Sequence, residues 1–285
     1  MQEQWMKRWL IGVEQLQQHL AGKVVIFDCR FSLTDPGEGL SAYQRGHIPG
    51  AVHLDMEKDL SGPRGLHGGR HPLPDPVAFT NRMRASGVTR DSLVIAYDDN
   101  RLAGAARLWW LLRYFGHPQV RILDGGIKAW LAAGLPANTT IPKNAVPGDF
   151  LAIENAAMTA TCPDIKQSVR DNASALIDAR EAPRYRGEEE PIDPIAGHIP
   201  GAINVPWQQF VDVDGNMLPI EQQRLVWQKL TLSPSPVVYC GSGVTACVDL
   251  LSLAMIGVES AKLYPGSWSD WCSYPDSIIE TSPHS

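Results

Sequence analysis

The chain has 285 residues, 44% of them apolar and 20% charged, which is enough for two globular cores and argues against disorder. Its formal charge of −6 at pH 7 gives no electrostatic reason to expect nucleic acid or an anionic membrane as a partner. No apolar run approaches the roughly 20 residues that a membrane-crossing helix needs, and the N-terminus lacks the pattern of a signal peptide.

The first half of the chain alternates short apolar strands with helical stretches. VVIFDCR, which ends at Arg30, and SLVIAYD, which ends at Asp98, predict buried strands. Between them GHIPGA, at 46–51, predicts a turn into a further strand. A long apolar helix is predicted at 103–116, and VRILDGGIKAW, at 120–130, follows it. This order predicts a sheet with helices packed on it.

The second half repeats this order. A strand ends at Arg180, GHIPGA recurs at 197–202, and the next strand, SPVVYC, ends at Cys240. An apolar helix follows at 244–257. The next segment, AKLYPGSWSDW at 261–271, corresponds to VRILDGGIKAW in the first half. The string HIPGA returns with an offset of 151 residues. The sequence therefore indicates an internal duplication.

These observations predict an α/β fold of two duplicated domains, each with a mostly parallel sheet flanked by helices. We expect an N-terminal domain over 1–138, a linker rich in Pro, Ala, Thr and Asn over 139–158, and a C-terminal domain over 159–285. We assign the two GHIPGA stretches a structural role, because glycine and proline suit a tight turn. His47 and His198 are therefore not expected to be catalysts.

The loop CGSGVT, at 240–245, joins a predicted strand to a predicted helix. Its backbone amides and the positive end of the following helix suit an anion, and its glycines, Gly241 and Gly243, permit the backbone angles that this needs. The hydroxyls of Ser242 and Thr245 add donors. We expect a thiol at Cys240 to ionise more readily than a free cysteine, so that it is a nucleophile.

The first half lacks this nucleophile, since alignment of the strand ends sets Asp98 against Cys240. The other cysteines are expected to pack in the cores. Five scattered cysteines without a C-x-x-C pair predict neither a zinc site nor a complete disulfide framework, and they favour a cytoplasmic location. The five are Cys29, Cys162, Cys240, Cys247 and Cys272.

Two alternatives use the same thiol. A cysteine-dependent phosphatase would need an arginine six positions after the cysteine, where this chain has Ala246, so phosphatase activity is disfavoured. A non-enzymatic sulfur carrier or redox sensor would use Cys240 together with Cys247, and the sequence leaves it open.

The duplicated halves, the paired GHIPGA, GSWSDW and above all CGSGVTAC resemble the tandem-domain rhodanese sulfurtransferases, from about Trp9 to Trp271. The hexad CGSGVT is typical of the 3-mercaptopyruvate branch, whereas thiosulfate sulfurtransferases usually carry a basic residue directly after the cysteine. The resemblance implies a catalytic C-terminal domain and a non-catalytic N-terminal one.

The resemblance also implies a mechanism. The Cys240 thiolate takes the sulfane sulfur of a small anionic donor, 3-mercaptopyruvate or thiosulfate, and becomes a persulfide. Cyanide, a thiol or a thioredoxin-like protein then accepts that sulfur. No metal or organic cofactor is expected, and the covalent intermediate predicts ping-pong kinetics.

Arg184 matches the family's arginine that binds the donor's anionic group, a task that suits a bidentate guanidinium. A second arginine is usual nine residues on, where this chain has Asp193, so the choice of donor stays open. Arg186 is a possible substitute. The loop residues that the resemblance assigns to substrate binding are Gly241, Gly243, Val244 and Thr245.

A serine, histidine and acid relay belongs to the mercaptopyruvate branch. The resemblance assigns the serine to Ser242, the histidine to His71 in the segment HPLP, and the acid position to Glu57. Because SGPRGLHGGRH, at 61–71, is longer than the family pattern, His67 competes with His71.

Overall fold

The structure is a computed structural model that describes residues 8–20, 22–142, 146–171 and 175–282. The chain forms two compact units. The N-terminal unit comprises residues up to Gly62, Pro74–Asn155 and Val211–Leu218. The C-terminal unit comprises Pro63–Leu73, Ala156–Phe210 and the chain from Pro219 onward.

The N-terminal unit contains a five-stranded parallel sheet of order β1-β5-β4-β2-β3. Its strands are β1 Leu10–Ile11, β2 Val24–Asp28, β3 Val52–His53, β4 Leu93–Tyr97 and β5 Val120–Leu123. Its helices are α1 Val13–His19, α2 Glu38–Arg45, α3 Pro76–Ala85, α4 Ala103–Tyr114 and α5 Gly126–Ala132. Helix α4 is almost wholly buried, which explains why most of its residues are apolar.

The C-terminal unit contains a four-stranded parallel sheet of order β7-β6-β8-β9. Its strands are β6 Leu176–Asp178, β7 Ile203–Asn204, β8 Val237–Tyr239 and β9 Lys262–Leu263. Its helices are α6 Cys162–Asp171, α7 Ala182–Arg186, α8 Ile220–Trp227, α9 Ala246–Met255 and α10 Ser267–Trp271, with 3₁₀ turns at Ala156–Met158 and Trp207–Phe210. None of the helices in the described ranges combines the length and apolarity of a membrane-crossing segment.

The predicted fold class is confirmed. The order β5-β4-β2-β3 in the first sheet corresponds to β9-β8-β6-β7 in the second, as a duplication requires. The first sheet has one additional strand, β1, which pairs with β5 at the edge. The sequence did not predict β1, because two residues are too few to carry a period-2 pattern.

The duplication extends to a buried ion pair. Arg30 Nη2 lies 2.6 Å from Asp28 Oδ2 and 2.7 Å from the Gly46 carbonyl oxygen. Arg180 Nη2 makes the same two contacts, both at 2.6 Å, with Asp178 Oδ2 and the Gly197 carbonyl oxygen. Each arginine thus ties the end of a strand to the start of a GHIPGA turn.

The histidines of the two GHIPGA turns have matching environments. His47 stacks on Tyr43 with ring centroids 3.9 Å apart, and its Nδ1 lies 2.8 Å from the Tyr43 carbonyl oxygen. His198 stacks on Tyr185 at 3.8 Å, and its Nδ1 lies 2.7 Å from the Tyr185 carbonyl oxygen. Both side chains are buried. These contacts support the structural role that the sequence indicated.

One of the places where the polypeptide passes from the N-terminal unit to the C-terminal unit lies between Asn155 and Ala156. The stretch before this point lies along the N-terminal unit, since Phe150 N–H donates to the Val88 carbonyl and Asn155 N–H to the Tyr114 carbonyl. Pro63–Leu73, which precedes that passage, is nevertheless part of the C-terminal unit. This short segment, which we call the 63–73 segment, carries both histidine candidates.

Candidate active site

Cys240 directly follows strand β8, and the loop that it opens leads into helix α9. The carboxyl ends of parallel strands are the usual place for functional residues in α/β folds. The Gly243 N–H donates to Cys240 Sγ at 3.1 Å. Gly243 has φ +77°, and a Cβ there would lie 2.5 Å from the Pro265 carbonyl oxygen, so only glycine fits. The Cys240 residue itself is only 2% exposed.

Helix α10, which carries the GSWSDW motif, holds the cysteine loop in place. Trp268 N–H donates to the Cys240 carbonyl and Ser269 N–H to the Gly241 carbonyl, each at 3.0 Å. Ser267 Oγ accepts the Cys240 N–H at 3.1 Å and donates to the Tyr264 carbonyl at 2.9 Å. Ser267 has φ +57°, in the left-handed region that a non-glycine residue adopts only at a cost. The motif therefore has a structural explanation that sequence reasoning missed.

The structure brings His71 to Ser242. His71 Nδ1 and Ser242 Oγ are 2.7 Å apart, and both residues are buried. His67 lies elsewhere on the same unit: it is exposed, its ring stacks on Tyr274 at 4.0 Å, and its Nδ1 is 2.7 Å from Ser273 Oγ. Of the two candidates, only His71 has the geometry of a partner for the loop serine. Glu57 belongs to the N-terminal unit, and its part in the relay stays a prediction.

Arg184, on helix α7, is held by two carboxylates. Its Nε lies 3.1 Å from both Glu190 oxygens, its Nη2 lies 2.7 Å from Glu190 Oε1, and the same Nη2 lies 3.3 Å from Asp193 Oδ2. Burial raises the pKa of Glu190, but the hydrogen bond and charge of Arg184 and two backbone amides outweigh burial, so the pKa lies below its usual value. The guanidinium also faces the loop, because its Nη2 lies 3.4 Å from the position of a Cβ built on Gly241.

A second arginine at the loop was missed by sequence reasoning. Arg70, in the 63–73 segment, forms an ion pair with Asp193, and its Nη2 lies 2.9 Å from the same built Cβ of Gly241. The only sequence signal was the unusual length of that segment. Arg186, the substitute considered from the sequence, instead pairs with Glu188, with Nε 2.5 Å from Oε1.

Val244 and Thr245 complete the loop and shape the start of helix α9. The Val244 carbonyl accepts the Cys247 N–H at 3.1 Å, and the Thr245 carbonyl accepts the Val248 N–H at 2.9 Å. Val244 is buried, whereas Thr245 is partly exposed. Their assignment to substrate binding, like those of Gly241 and Gly243, stays a prediction.

The remaining thiols differ from Cys240 in their surroundings. Burial raises the pKa of Cys29 well above its usual value, raises that of Cys162, and raises that of Cys272 to about 12. Such thiols stay protonated near neutral pH and react poorly. Cys247 is fully buried, and its Sγ lies 3.5 Å from the Gly243 carbonyl oxygen. Thus one glycine touches the sulfurs of both Cys240 and Cys247.

In the corresponding loop of the N-terminal unit, the backbone amides bind the side chain of Asp98. The Asp98 carboxylate accepts the backbone N–H groups of Asn100, Leu102 and Ala105 at 2.9 to 3.0 Å. Ile127 N–H donates to the Asp98 carbonyl as Trp268 N–H does to that of Cys240. Burial raises the pKa of Asp98 to about 6 despite these amides. The loop amides that would face a bound anion are already engaged with a carboxylate.

Comparison with known proteins assigns the chain to a family. Residues 12–133 and 161–274 both match the rhodanese-like domain. The chain belongs to the rhodanese family. Its two domains and its parallel sheets are those expected of a tandem member of this family.

Similar proteins agree with this assignment. The chain is 44% identical over 280 residues to a probable 3-mercaptopyruvate sulfurtransferase of Pseudomonas aeruginosa, covering 95% of this chain and 98% of that one. It is 40% identical over 260 residues to a putative thiosulfate sulfurtransferase, SseB, of Mycobacterium tuberculosis, covering 88% and 89%. The crystal structure of the 3-mercaptopyruvate sulfotransferase SseA of Escherichia coli superposes with a TM-score of 0.81 at 35% identity, covering 92% of this chain and 99% of that one. This rhodanese-family chain is a sulfurtransferase.

Within the described ranges, no group of three or more histidine, cysteine, aspartate or glutamate side chains is arranged to hold a metal ion.

Proposed function

We propose that this rhodanese-family protein moves a sulfane sulfur from a small anionic donor through a Cys240 persulfide to a thiophilic acceptor. The observation that carries the proposal is the Gly243 N–H directed at Cys240 Sγ, at the head of helix α9. A backbone donor and a helix N-terminus both favour negative charge on that sulfur. The same groups favour the nucleophilic thiolate and the bound persulfide.

The first step breaks the carbon–sulfur bond of 3-mercaptopyruvate. The Cys240 thiolate attacks the donor's sulfur, the new S–S bond forms, and the bonding electrons leave with the carbon as the enolate of pyruvate, which then takes a proton. In the second step an acceptor thiolate or cyanide attacks the outer sulfur, and the S–S bond breaks to return the Cys240 thiolate. The two half-reactions share the enzyme-bound sulfur, so ping-pong kinetics follow.

The pairing of His71 with Ser242 supports 3-mercaptopyruvate as the preferred donor. An enolate leaving group must acquire a proton, whereas sulfite leaves thiosulfate as a stable anion and needs none. A buried histidine 2.7 Å from a hydroxyl on the cysteine loop is suited to supply that proton. The names of the Pseudomonas aeruginosa and Escherichia coli relatives agree with this donor. The Mycobacterium tuberculosis relative, a putative thiosulfate sulfurtransferase, keeps thiosulfate as the competing donor.

We further propose a thiol, cyanide or a thioredoxin-like protein as the acceptor, and a cytoplasmic site of action. Because Cys240 is buried, the acceptor must be able to reach a persulfide inside the protein. A small nucleophile or the exposed thiol of a partner protein meets this requirement.

Mass spectrometry of the intact protein tests the persulfide directly. After incubation with 3-mercaptopyruvate and removal of the donor, we expect a gain of about 32 Da on Cys240, lost again on addition of cyanide. Cys240→Ser abolishes both the gain and the turnover, whereas Ser242→Ala slows turnover with 3-mercaptopyruvate more than with thiosulfate. Substantial turnover by Cys240→Ser would refute the nucleophile, and equal slowing with both donors would refute the proton relay.

A redox-sensing module is the second candidate, favoured by the contact of Gly243 with both the Cys240 and Cys247 sulfurs. It predicts a loss of about 2 Da on mild oxidation, reversed by a dithiol, in place of a gain of sulfur from the donor. Cys247→Ala separates the two functions, because the proposed transferase retains turnover without Cys247.

A further inference from the structure

Two arginine side chains converge on one point beside the nucleophile. Around the position of a Cβ built on Gly241, Arg70 Nη2 lies at 2.9 Å, Arg184 Nη2 at 3.4 Å and Arg184 Nη1 at 3.7 Å. Gly241 is the residue directly after Cys240. An anion held by both guanidinium groups would therefore lie one residue from the reactive sulfur.

The placement of Arg70 is built into the C-terminal unit. The preceding Gly68 N–H donates to Asp270 Oδ1 at 2.7 Å. Gly69 has φ +79°, and any Cβ there would collide with the carbonyl oxygen of Gly266. The following His71 is fixed to Ser242. With anchors on both sides, the backbone of Arg70 is held in register with the cysteine loop.

Asp193 explains how two like charges share this place. Its two carboxylate oxygens divide between the arginines: Oδ1 pairs with Arg70, and Oδ2 lies 3.3 Å from Arg184 Nη2. The Asp193 side chain is only 2% exposed, whereas that of Arg70 is 17% exposed. The acid is thus buried between the two arginines, whereas part of the Arg70 side chain is exposed.

We propose that Arg70 is a donor-binding residue that grips the anionic group of the sulfur donor together with Arg184. This inference rests on the proposed function, whose donors are both anions: 3-mercaptopyruvate carries a carboxylate, and thiosulfate is an inorganic anion. The second guanidinium, expected from the family pattern at position 193, comes instead from the 63–73 segment. Asp193 serves this arrangement by tying the two arginines together. A planar guanidinium suits the bidentate binding of either anion.

Gly241 is part of the same arrangement. A Cβ at Gly241 would lie 2.9 Å from Arg70 Nη2, so the flexible end of the Arg70 side chain would have to move to admit it. The absence of a side chain at Gly241 thus leaves room for a cation supplied from elsewhere in the chain. The positive charge beside the loop comes from Arg70 and Arg184, which lie outside the loop.

Steady-state kinetics of Arg70→Gln in the full-length protein test the proposal. We expect KM for 3-mercaptopyruvate to rise about ten- to a hundredfold, the loss expected for a charge-assisted hydrogen bond to an anion, with kcat changed less than about threefold. Arg70→Lys keeps the charge without the bidentate fork and should give a smaller rise. Arg64→Gln is the matched control, because it makes the same charge change within the same segment and should leave KM unchanged.

A binding measurement separates failure of this inference from failure of the proposed function. Pyruvate is the probe, titrated calorimetrically into Cys240→Ser with and without Arg70→Gln. A weaker Kd with Arg70→Gln supports the anion site even if the wild type transfers no sulfur, and in that case only the proposed function fails. An unchanged Kd and KM in a folded Arg70→Gln protein overturn the inference, as does a fall in kcat alone.

The double variant Arg70→Ala with Asp193→Arg gives a second test. It removes the arginine of the 63–73 segment and restores one at the family position. We expect its KM to lie nearer that of the wild type than that of Arg70→Ala. If Arg70 served only to hold the segment in place through Asp193, the double variant would be no better than the single one, and the inference would be wrong.

Discussion

Two substitutions of Ser267 separate the effect of backbone strain from that of hydrogen bonding at this site. The residue is fully buried, has φ +57°, and its Oγ accepts the Cys240 N–H at 3.1 Å. Ser267→Ala removes the hydroxyl and keeps a Cβ in the left-handed region. Ser267→Gly removes the same hydroxyl and relieves the strain as well.

The two variants should differ in stability by a known sign. Both leave the buried Cys240 N–H unpaired, which costs about 1–3 kcal/mol. In Ser267→Ala, a Cβ in the left-handed region costs about 1–2 kcal/mol. Ser267→Gly avoids this cost, but it loses about 0.5–1 kcal/mol because glycine has more conformational freedom in the unfolded chain. Ser267→Gly should therefore be more stable than Ser267→Ala by about 0.5–1 kcal/mol, or roughly 1–4 °C in Tm.

Activity should follow the hydroxyl and not the strain. Because Ser267 fixes the backbone at Cys240, the proposed nucleophile, we expect both variants to lose kcat to the same degree, although their melting temperatures differ. The assays are thermal unfolding by circular dichroism and persulfide formation in a single turnover. Equal Tm values would refute the assignment of strain to Ser267, and full activity of either variant would refute its role in positioning Cys240.

Two further substitutions test buried ionisable side chains. Asp249 is fully buried, neither of its carboxyl oxygens has a hydrogen-bond partner among the described residues, and burial together with the charge of Cys240 raises its pKa well above the usual value. Since unfolded aspartate loses its proton near pH 3.9 while the folded carboxyl retains it to a higher pH, Asp249→Asn should gain stability over the wild type as the pH rises above about 4, and a constant gap in urea unfolding would contradict this. Arg184→Ala should raise the donor KM and also cost about 3 kcal/mol, because it leaves the buried Glu190 carboxylate without its closest partner. A raised KM with unchanged stability would show that the pair with Glu190 contributes nothing to folding.

The elements with a strong local pattern were predictable. Helices α4 and α9 are runs of apolar residues long enough to fix their type, and the repeat of HIPGA fixed the duplication without any structure. Cys240 stood out for a similar reason, since a cysteine between a strand and a glycine-rich loop has few structural explanations, and its role as the nucleophile stays a prediction. The choice between His67 and His71 was not predictable, because loop length carries no information on which residue turns inward.

The residues of the proposed anion site could not be predicted from local patterns in the sequence. Arg70 lies 123 positions from Asp193 along the chain, yet the two form an ion pair. Asp193 alone argues against an anionic substrate, and only its contact with both Arg70 and Arg184 changes that interpretation. A charged residue can be read from the sequence, but the residue that neutralises it depends on which side chains lie close together in the folded chain.

The sequence alone determined the duplicated α/β fold, and it placed Cys240 after a strand of the second half with Asp98 at the matching position of the first. These follow from hydrophobic period, glycine content and residue identity, which are local properties of the chain. The tertiary structure decided which histidine meets Ser242, why Ser267 adopts a left-handed conformation, and where the second arginine comes from. Each of these depends on contacts between segments far apart in sequence, whose pairing is fixed by packing and not by any pattern within one segment.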